Sequence, residues 1–158
     1  MCPDISIEPA SASHADAAAE ITPDAFDGVS IDQDIERTLG SGARPWRDIK
    51  ANAVRDEFNE RPHDCFVALA GGQLVGYVTT RVQDDIGRGT IANLAVRADF
   101  RGHGIGRKLL ARALDYFRQR GLVEAKIETL ATNPIGQRLY PSVGFVEVAR
   151  QIHYAMRL

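Results

Sequence analysis

The residues most suggestive of chemistry lie in a short glycine-rich stretch, RGHGIGR, at positions 101–107. An apolar run at 91–96, typical of a buried strand, precedes it, and apolar residues recur at helical spacing through 105–121. Alternating glycines let a backbone approach a ligand closely, and the first N–H groups of a helix attract an anion. Arg101 and Arg107 add charged donors suited to phosphate oxygens. The stretch therefore predicts a loop that binds a pyrophosphate group.

Two common phosphate-binding motifs do not describe this loop. The Walker A motif requires GxxxxGK[ST], a string that the sequence lacks. The dinucleotide fingerprint GxGxxG also fails, because Arg107 stands where its last small residue belongs. A glycine triplet can mark an ordinary turn, but the apolar run before it and the basic helix after it favour the phosphate interpretation.

The composition is that of a globular protein: 158 residues, 44% hydrophobic and 25% charged, which predict a single domain over 1–158. Cys2 and Cys65 lie far apart without CxxC spacing, and the four histidines are scattered, so we expect neither a disulfide nor a metal site. The sequence shows no apolar run of membrane-spanning length and no signal-peptide pattern. We therefore expect a soluble cytoplasmic protein without a membrane partner.

The charges are unevenly distributed along the chain, although the net charge is only −2. Residues 1–36 contain nine acidic residues and no Lys or Arg, whereas residues 97–120 contain seven basic and two acidic residues. This segregation is typical of solvated helix faces or of sites for ligands of opposite charge. A nucleic-acid partner is disfavoured, because the acidic N-terminal third opposes it and no aromatic residues interleave the basic ones.

The hydrophobic pattern predicts a mixed α/β fold with the order β-α-α-β-β-β-α-β-α-β-β. The predicted strands are 5–9, 65–70, 73–82, 90–96, 125–130, 145–149 and 152–158, and the last two are expected to pair. The predicted helices are 13–21, 46–61, 105–121 and one that begins after Asn133 as N-cap. Residues 22–45, rich in Gly, Pro and Asp, are expected to form a mobile loop with a helical turn near 32–39.

The arrangement Arg101-x-x-Gly104-x-Gly106 resembles the Arg/Gln-x-x-Gly-x-Gly/Ala motif of the GNAT superfamily, the acyl-CoA-dependent N-acetyltransferases. A second set of residues is similar to the family's pattern of an Asn, a Tyr and a Gly-Phe pair opening the next strand: Asn133, Tyr140 and Gly144-Phe145. These motifs cover residues 91–146, and the predicted element order outside them agrees. The resemblance implies a mixed sheet that is splayed at its centre and flanked by helices.

The resemblance also implies that acetyl-CoA is the co-substrate and that its acetyl group passes directly to a primary amine. The pyrophosphate would lie on the loop, whose implied contacts are Arg101, Gly102, His103, Gly104, Ile105, Gly106 and Arg107. In the family, the strand matching 91–97 carries a bulge and splays from the strand matching 125–130. The pantetheine arm would pair there with the backbone of Leu94, Ala95 and Val96, and Asn133 would contact it. A ligand that acts as an extra strand would satisfy backbone groups otherwise left unpaired.

Two catalytic roles follow from the same resemblance. A backbone N–H near Val96 would stabilise the oxyanion, and Tyr140 would protonate the departing thiolate. A phenol with a pKa near ~10 can give its proton to a thiolate whose conjugate acid has a pKa near ~8.5. Pro141 directly follows Tyr140, however, and disfavours helical geometry there. If the helix bends at this point, the phenol points away from the sulfur.

The general base is unassigned. Many family members carry a glutamate on the strand matching 90–96, but this sequence has Asn93 near that place, and an amide cannot take a proton. Proton transfer relayed by water through Asp84, Asp85 or Glu128 remains open. A non-catalytic acyl-CoA-binding or regulatory domain is therefore the alternative function.

The acceptor is the least specified partner. Five of the acidic residues within 1–36 lie in the segment that forms one wall of the acceptor cleft in related folds: Asp24, Asp27, Asp32, Asp34 and Glu36. They predict an acceptor with a positive charge beyond the reacting amine, such as a polyamine, an aminoglycoside-like molecule or a basic peptide. Alternatively, they only solvate a mobile loop. A homodimer is considered beside a monomer, since the sequence leaves the oligomeric state open.

Overall fold

The computed structural model describes residues 4–158. Five strands of this range form one sheet, in the order β1 (Ile5–Pro9), β2 (Cys65–Ala70), β3 (Gln73–Gln83), β4 (Arg88–Val96) and β5 (Glu124–Ile127). Neighbouring strands are antiparallel from β1 to β4, whereas β5 runs parallel to β4. The helices are α1 (Ala15–Ala25), α2 (Ile31–Leu39), α3 (Trp46–Glu60), α4 (Ile105–Gln119) and α5 (Pro134–Ser142). The predicted mixed α/β class is confirmed.

Helices cover both faces of the sheet. On one face, α4 packs its apolar side, including Leu110 and Phe117, against β2, β3 and β4. On the other face, α1 and α3 pack around Tyr77 of β3, whose ring meets that of Phe58 edge to face. A strand between two helical layers must be apolar on both sides, which explains the nearly continuous hydrophobic runs of β2 and β3.

Residues 22–45 contain more helix than the sequence predicted. The expected helical turn is the complete helix α2, nine residues long. Ser30 precedes it in extended conformation, Asp32 and Asp34 fall in its first turn, and Gly40 follows it with a φ of 80°. These are ordinary helix-boundary signals, since acids favour the first turn and a glycine with positive φ ends a helix. The prediction of a loop was wrong because it relied on the Gly, Pro and Asp content.

The two closing strands predicted at 145–149 and 152–158 are absent, and these residues have no regular secondary structure. The apolar side chains that suggested them are exposed: Val146, Val148, Ile152, Tyr154, Met156 and Leu158. A strand needs backbone partners and a layer to cover its apolar face, and residues 4–158 supply neither to this segment. Arg157 instead donates to the carbonyl oxygens of Leu39 and Gly40, at 2.6 and 2.9 Å.

Cys65 is buried at the start of β2, and burial raises the pKa of its thiol to about 12. The thiol is therefore unreactive at neutral pH; Cys2 lies outside the described residues. Within residues 4–158, no helix is long and apolar enough to cross a membrane. The same range contains no cluster of three or more His, Cys, Asp or Glu side chains arranged to hold a metal ion.

Candidate active site

The sheet divides between β4 and β5. The two strands are joined by pairs that run from Arg88 with Glu124 to Ile91 with Ile127. Beyond these pairs β4 continues to Val96, whereas β5 has ended, so no strand among residues 4–158 neighbours the last part of β4 on that side. The central splay that the resemblance implied is confirmed, and the gap opens towards the glycine-rich loop.

A β-bulge alters the direction of side chains along β4. Thr79 of β3 pairs with Asn93, but the next residue, Thr80, pairs with Ile91, so Ala92 has no partner. One extra residue reverses which face the following side chains take. Ile91 therefore packs towards α4, whereas Asn93 faces α3 and hydrogen-bonds to it.

Backbone donors of β4 point into the gap. The N–H of Arg97 donates to the carbonyl oxygen of Val75 on β3, at 2.8 Å. Since successive backbone amides of a strand point to opposite sides, the N–H groups of Leu94 and Val96 face away from β3 and into the gap. Ala95 lines the same cavity, but its backbone groups face β3. Leu94 and Val96 are thus the residues placed to pair with an extended ligand.

The glycine-rich loop presents the start of α4 at the mouth of the gap. Gly102 and Gly104 have φ values of 80° and 73°, which residues other than glycine rarely adopt. A Cβ atom built on either would have no protein atom within 4 Å, so a ligand can approach the backbone there. The first N–H groups of α4 have no carbonyl partner within the helix and point towards that space. The side chain of Ile105 is buried, so Ile105 and Gly106 contribute backbone donors only.

The charged side chains of the loop differ in availability. Arg101 donates its Nε to the last carbonyl oxygen of β4 at 3.2 Å, and its guanidinium stays exposed at the cavity. Arg107 donates to Oγ and to the carbonyl oxygen of Ser142, at 2.8 and 3.3 Å, and so ties α4 to α5. The imidazole of His103 lies 3.1 Å from the carbonyl oxygen of Phe100 and does not line the cavity. Arg101 is therefore the better placed arginine, and His103 contributes only its backbone.

Helix α5 forms the opposite wall of the gap and begins at Asn133. The Asn133 Oδ1 accepts a hydrogen bond from the N–H of Gly136 at 3.2 Å, and its Nδ2 donates to Thr129 Oγ1 at 2.9 Å. Pro134 occupies the first helical position, where its missing N–H leaves no bond unmade. The predicted N-cap is confirmed, and the Asn133 side chain lines the cavity in a fixed orientation.

Tyr140 lies near the end of α5, and its side chain lines the cavity. The helix continues through Pro141 to Ser142, so the proline does not turn the phenol away. Gly136 leaves room for the ring, because a Cβ there would lie 2.9 Å from Tyr140 Cε2. The hydroxyl has no hydrogen-bond partner within residues 4–158, and burial raises the pKa of the phenol. A half-buried, unpartnered phenol in a cleft can serve as a proton donor.

Asn93 belongs to a polar network whose other members the sequence analysis missed. Its Oδ1 accepts from Lys50 Nζ at 2.7 Å, and its Nδ2 donates to Glu57 at 3.1 Å and to Thr79 at 3.2 Å. Arg81 pairs with Glu57 at 2.8 Å. Lys50 and Glu57 were overlooked because charged residues on an amphipathic helix usually form its solvated face. Their positions depend on how α3 packs over the bulge of β4.

The candidates for a water-relayed base occupy different places. Glu128 follows β5, lines the cavity and pairs with Lys126 at 2.5 Å. Asp84 pairs with Arg120 at 2.8 Å, and Asp85 lies in the same turn after β3, so neither lines the cavity. Of these three carboxylates, Glu128 is the one whose position at the cavity suits a base that acts through water.

The gap, the loop, α5 and the irregular segment 144–153 that follows it line a cavity of about 1550 Å³. Its far wall consists of the end of α1, the start of α2 and Lys50 of α3. This volume exceeds the roughly 300–1,000 Å³ of a typical small-molecule pocket, and it suits a long ligand together with a second reactant.

A model of the Acetyltransferase (GNAT) family matches residues 30–145. The chain is 34% identical over 95 residues to N-alpha-acetyltransferase MAK3 of Arabidopsis thaliana and 35% identical over 98 residues to N-alpha-acetyltransferase 30 of Schizosaccharomyces pombe. Each alignment covers 59% of this chain, which spans only 50% and 64% of the lengths of these relatives. The structure of PaiA N-acetyltransferase from Thermoplasma acidophilum, in complex with coenzyme A, superposes with a TM-score of 0.72. That superposition covers 90% of both chains at 18% sequence identity, and it concerns the fold.

Proposed function

Because the chain belongs to the acetyltransferase (GNAT) family, we propose that it transfers the acetyl group of acetyl-CoA to a primary amine by direct attack. The observation that carries this proposal is the gap between β4 and β5, which leads into the glycine-rich loop at the start of α4. One continuous cleft thereby offers backbone donors to an extended arm and a helix N-terminus to a pyrophosphate.

In this proposal acetyl-CoA lies along the cleft from the loop to the bulge. The backbone of residues 102–107 and the guanidinium of Arg101 hold the pyrophosphate. The backbone of Val96 pairs with the pantetheine arm, and Asn133 lies beside it. Further from the loop, the N–H of Leu94 donates to the acetyl carbonyl oxygen, where negative charge develops as the amine attacks.

The reaction forms a C–N bond and breaks a C–S bond. The neutral amine adds to the thioester carbonyl carbon, and the coenzyme A thiolate departs. The acceptor ammonium first loses one proton, through water, to Glu128, the retained carboxylate at the cavity. After attack, the nitrogen of the tetrahedral intermediate loses a second proton as the C–S bond breaks. Tyr140 gives its phenolic proton to the thiolate sulfur, and the proton from the nitrogen restores the phenol through water.

The acceptor that we propose is the α-amine of a peptide, and the support is the name of both matched relatives, N-alpha-acetyltransferase. A second positive charge on the acceptor is also proposed. Three acidic side chains of the segment 24–36 already bind other residues of the chain. Asp24 pairs with Arg47, Asp34 pairs with Arg37, and Glu36 accepts a hydrogen bond from the N–H of Trp46. Asp27 and Asp32 line the cavity without an ion pair among residues 4–158, although Asp27 accepts a hydrogen bond from Gln33 Nε2 at 2.6 Å. The electrostatic attraction of a basic peptide therefore rests on these two.

We expect kcat/KM for a basic peptide to exceed that for a neutral one at low salt, with a ratio that shrinks as salt rises. Asp32→Asn should lower the ratio at low salt. Asp34→Asn removes an equal charge that pairs with Arg37, and it serves as the matched control. Equal kcat/KM values for the two peptides at low salt would end the proposal of a cationic acceptor.

Initial-velocity measurements test the proposed reaction. With acetyl-CoA and amine both varied, direct attack predicts thiol release with intersecting reciprocal plots. Parallel plots would show a covalent acetyl-enzyme instead. Binding of acetyl-CoA without thiol release for any amine would support the non-catalytic alternative.

The proposal also covers the domain organisation, the cellular location and the oligomeric state. The whole chain acts as one N-acetyltransferase domain, and it works in the cytoplasm, where the free thiol of Cys65 stays reduced. The homodimer considered from the sequence stays a prediction, which sedimentation equilibrium checks.

A further inference from the structure

Lys50 has surroundings that are unusual for a lysine side chain. Its Nζ lies 4.3 Å above the ring of Phe26 and donates to the neutral Oδ1 of Asn93 at 2.7 Å. Asp32 and Glu57 lie near enough to favour its charge, but within residues 4–158 no carboxylate forms an ion pair with it. An ammonium group has three donors, and the described residues accept from one of them.

Burial lowers the pKa of Lys50, because the charged ammonium loses hydration that the protein does not replace. Charged groups in such places are normally paired or hydrogen-bonded. Lys50 lines the main cavity. It also lines an adjoining cavity of about 280 Å³, whose other lining residues include Glu57, Arg81, Asn93 and Glu128. Its two remaining donors are therefore available to a ligand in the cleft.

The position of Lys50 along the cleft indicates which ligand it meets. The loop at 101–107 marks the pyrophosphate end, and Leu94 marks the proposed position of the acetyl carbonyl group. Asn93 is the next residue away from the loop, about 3.3 Å along the strand. Lys50 is hydrogen-bonded to Asn93. It therefore lies on the side of the thioester away from the loop, where the acceptor must enter.

We propose that Lys50 selects the acceptor by donating to an oxygen on the carbon next to the amine-bearing carbon. Two sources supply that oxygen, the first carbonyl group of a peptide and the α-carboxylate of a free amino acid. An alkylamine or polyamine lacks it. This inference rests on the proposed acetyl transfer and specifies its acceptor further.

The test uses three probes that share an amine-bearing carbon and a methyl group. Alanine carries a carboxylate, alanine amide carries a neutral carbonyl group, and isopropylamine carries only a second methyl group. Lys50→Met keeps the length of the side chain and removes its donors. We expect it to raise KM for the two carbonyl-bearing probes about 10- to 100-fold, with kcat changed less. kcat/KM for isopropylamine should stay unchanged.

Three controls separate this role from a structural one. Arg55→Met alters a cation on the same helix, which pairs with Asp16 away from the cleft, and it should leave every KM unchanged. Lys50→Arg should restore part of the lost discrimination. The affinity of Lys50→Met for acetyl-CoA and its far-UV circular dichroism should match the wild type.

A larger KM increase for alanine than for alanine amide would identify the carboxylate as the source, and the reverse would identify the peptide carbonyl. An equal loss for all three probes, or no loss, would overturn the inference. Calorimetric titration of the coenzyme A-loaded protein with the same probes gives a second readout. If no amine is acetylated but alanine amide binds in a Lys50-dependent manner, the proposed reaction fails while the inference holds.

Discussion

Tyr140→Phe should lower kcat about 10²- to 10⁴-fold, the usual contribution of a general acid, while the affinity for acetyl-CoA stays unchanged. The phenol lies at the cavity without a hydrogen-bond partner among residues 4–158, and in the proposed reaction its proton is needed only as the thiolate departs. Loss of such an interaction lowers kcat and kcat/KM together. Rapid-quench measurement of thiol release on the best amine determines the effect.

Tyr116→Phe is the matched control. The Tyr116 hydroxyl donates a hydrogen bond to Asp64 at 2.6 Å, outside the cavity. Tyr116→Phe therefore removes a phenolic oxygen, as Tyr140→Phe does, but at a position with no role in the proposed reaction. An unchanged kcat in Tyr140→Phe would show that another group is the acid. A parallel loss in Tyr116→Phe would indicate a general effect on folding.

The pH profile gives Tyr140 a second signature. Burial raises the pKa of the phenol above its ordinary value of about 10, so the proton-bearing form persists through neutral and mildly alkaline pH. The Tyr140-dependent decline of kcat should therefore begin only above roughly pH 10, and it should be missing in Tyr140→Phe. If kcat declines at the same pH in the wild type and in Tyr140→Phe, that decline reports the titration of a different group.

Gly104→Val should weaken acetyl-CoA binding tenfold or more, about 1.4 kcal/mol or greater. Gly104 has a φ of 73°, which a β-branched residue adopts only with strain, and its missing Cβ faces the space of the proposed pyrophosphate. Arg101→Ala should have a similar effect, because a hydrogen bond to a charged group contributes about 1.5–3 kcal/mol. Isothermal titration calorimetry measures both.

Gly121 provides a matched control at the other end of α4. It has a φ of 74° and likewise no atom within 4 Å of a built Cβ, so Gly121→Val introduces the same strain away from the cleft. It should lower the melting temperature but leave the affinity for acetyl-CoA unchanged. Gly104→Asn tolerates the positive φ and still adds a side chain, so weak binding by this variant would assign the loss to contact with the ligand. Wild-type affinity in both Gly104→Val and Arg101→Ala would contradict the location of the site.

Much of the fold could be predicted from local patterns. The two strands at 65–70 and 73–82, the amphipathic helix at 105–121 and the N-cap Asn133 each carry their signal within a few residues, and the structure contains them all. The glycine-rich loop at 101–107 was found for the same reason. Its glycine spacing, strand and helix are contiguous in sequence.

The errors and omissions concern relations between distant segments. The apolar alternation of residues 146–158 predicted strands, but a strand also requires a partner edge, which that alternation does not reveal. The face of Asn93 depends on the bulge at Ala92, a property of pairing with β3. Lys50 joins the site only because α3 packs over that bulge, at a separation of 43 residues from Asn93.

We propose that this cleft holds acetyl-CoA and an amine together and transfers the acetyl group between them. Mass spectrometry tests this transfer by counting the acetylated product in one reaction with acetyl-CoA and a peptide bearing a free α-amine, and comparing it with the thiol released. We expect one acetylated α-amine for each thiol, with the product nearly abolished in Tyr140→Phe. Two results would contradict acetyl transfer. In the first, the protein binds acetyl-CoA tightly and releases thiol, but no amine is acetylated. In the second, it binds acetyl-CoA tightly, but neither thiol nor acetylated amine is formed.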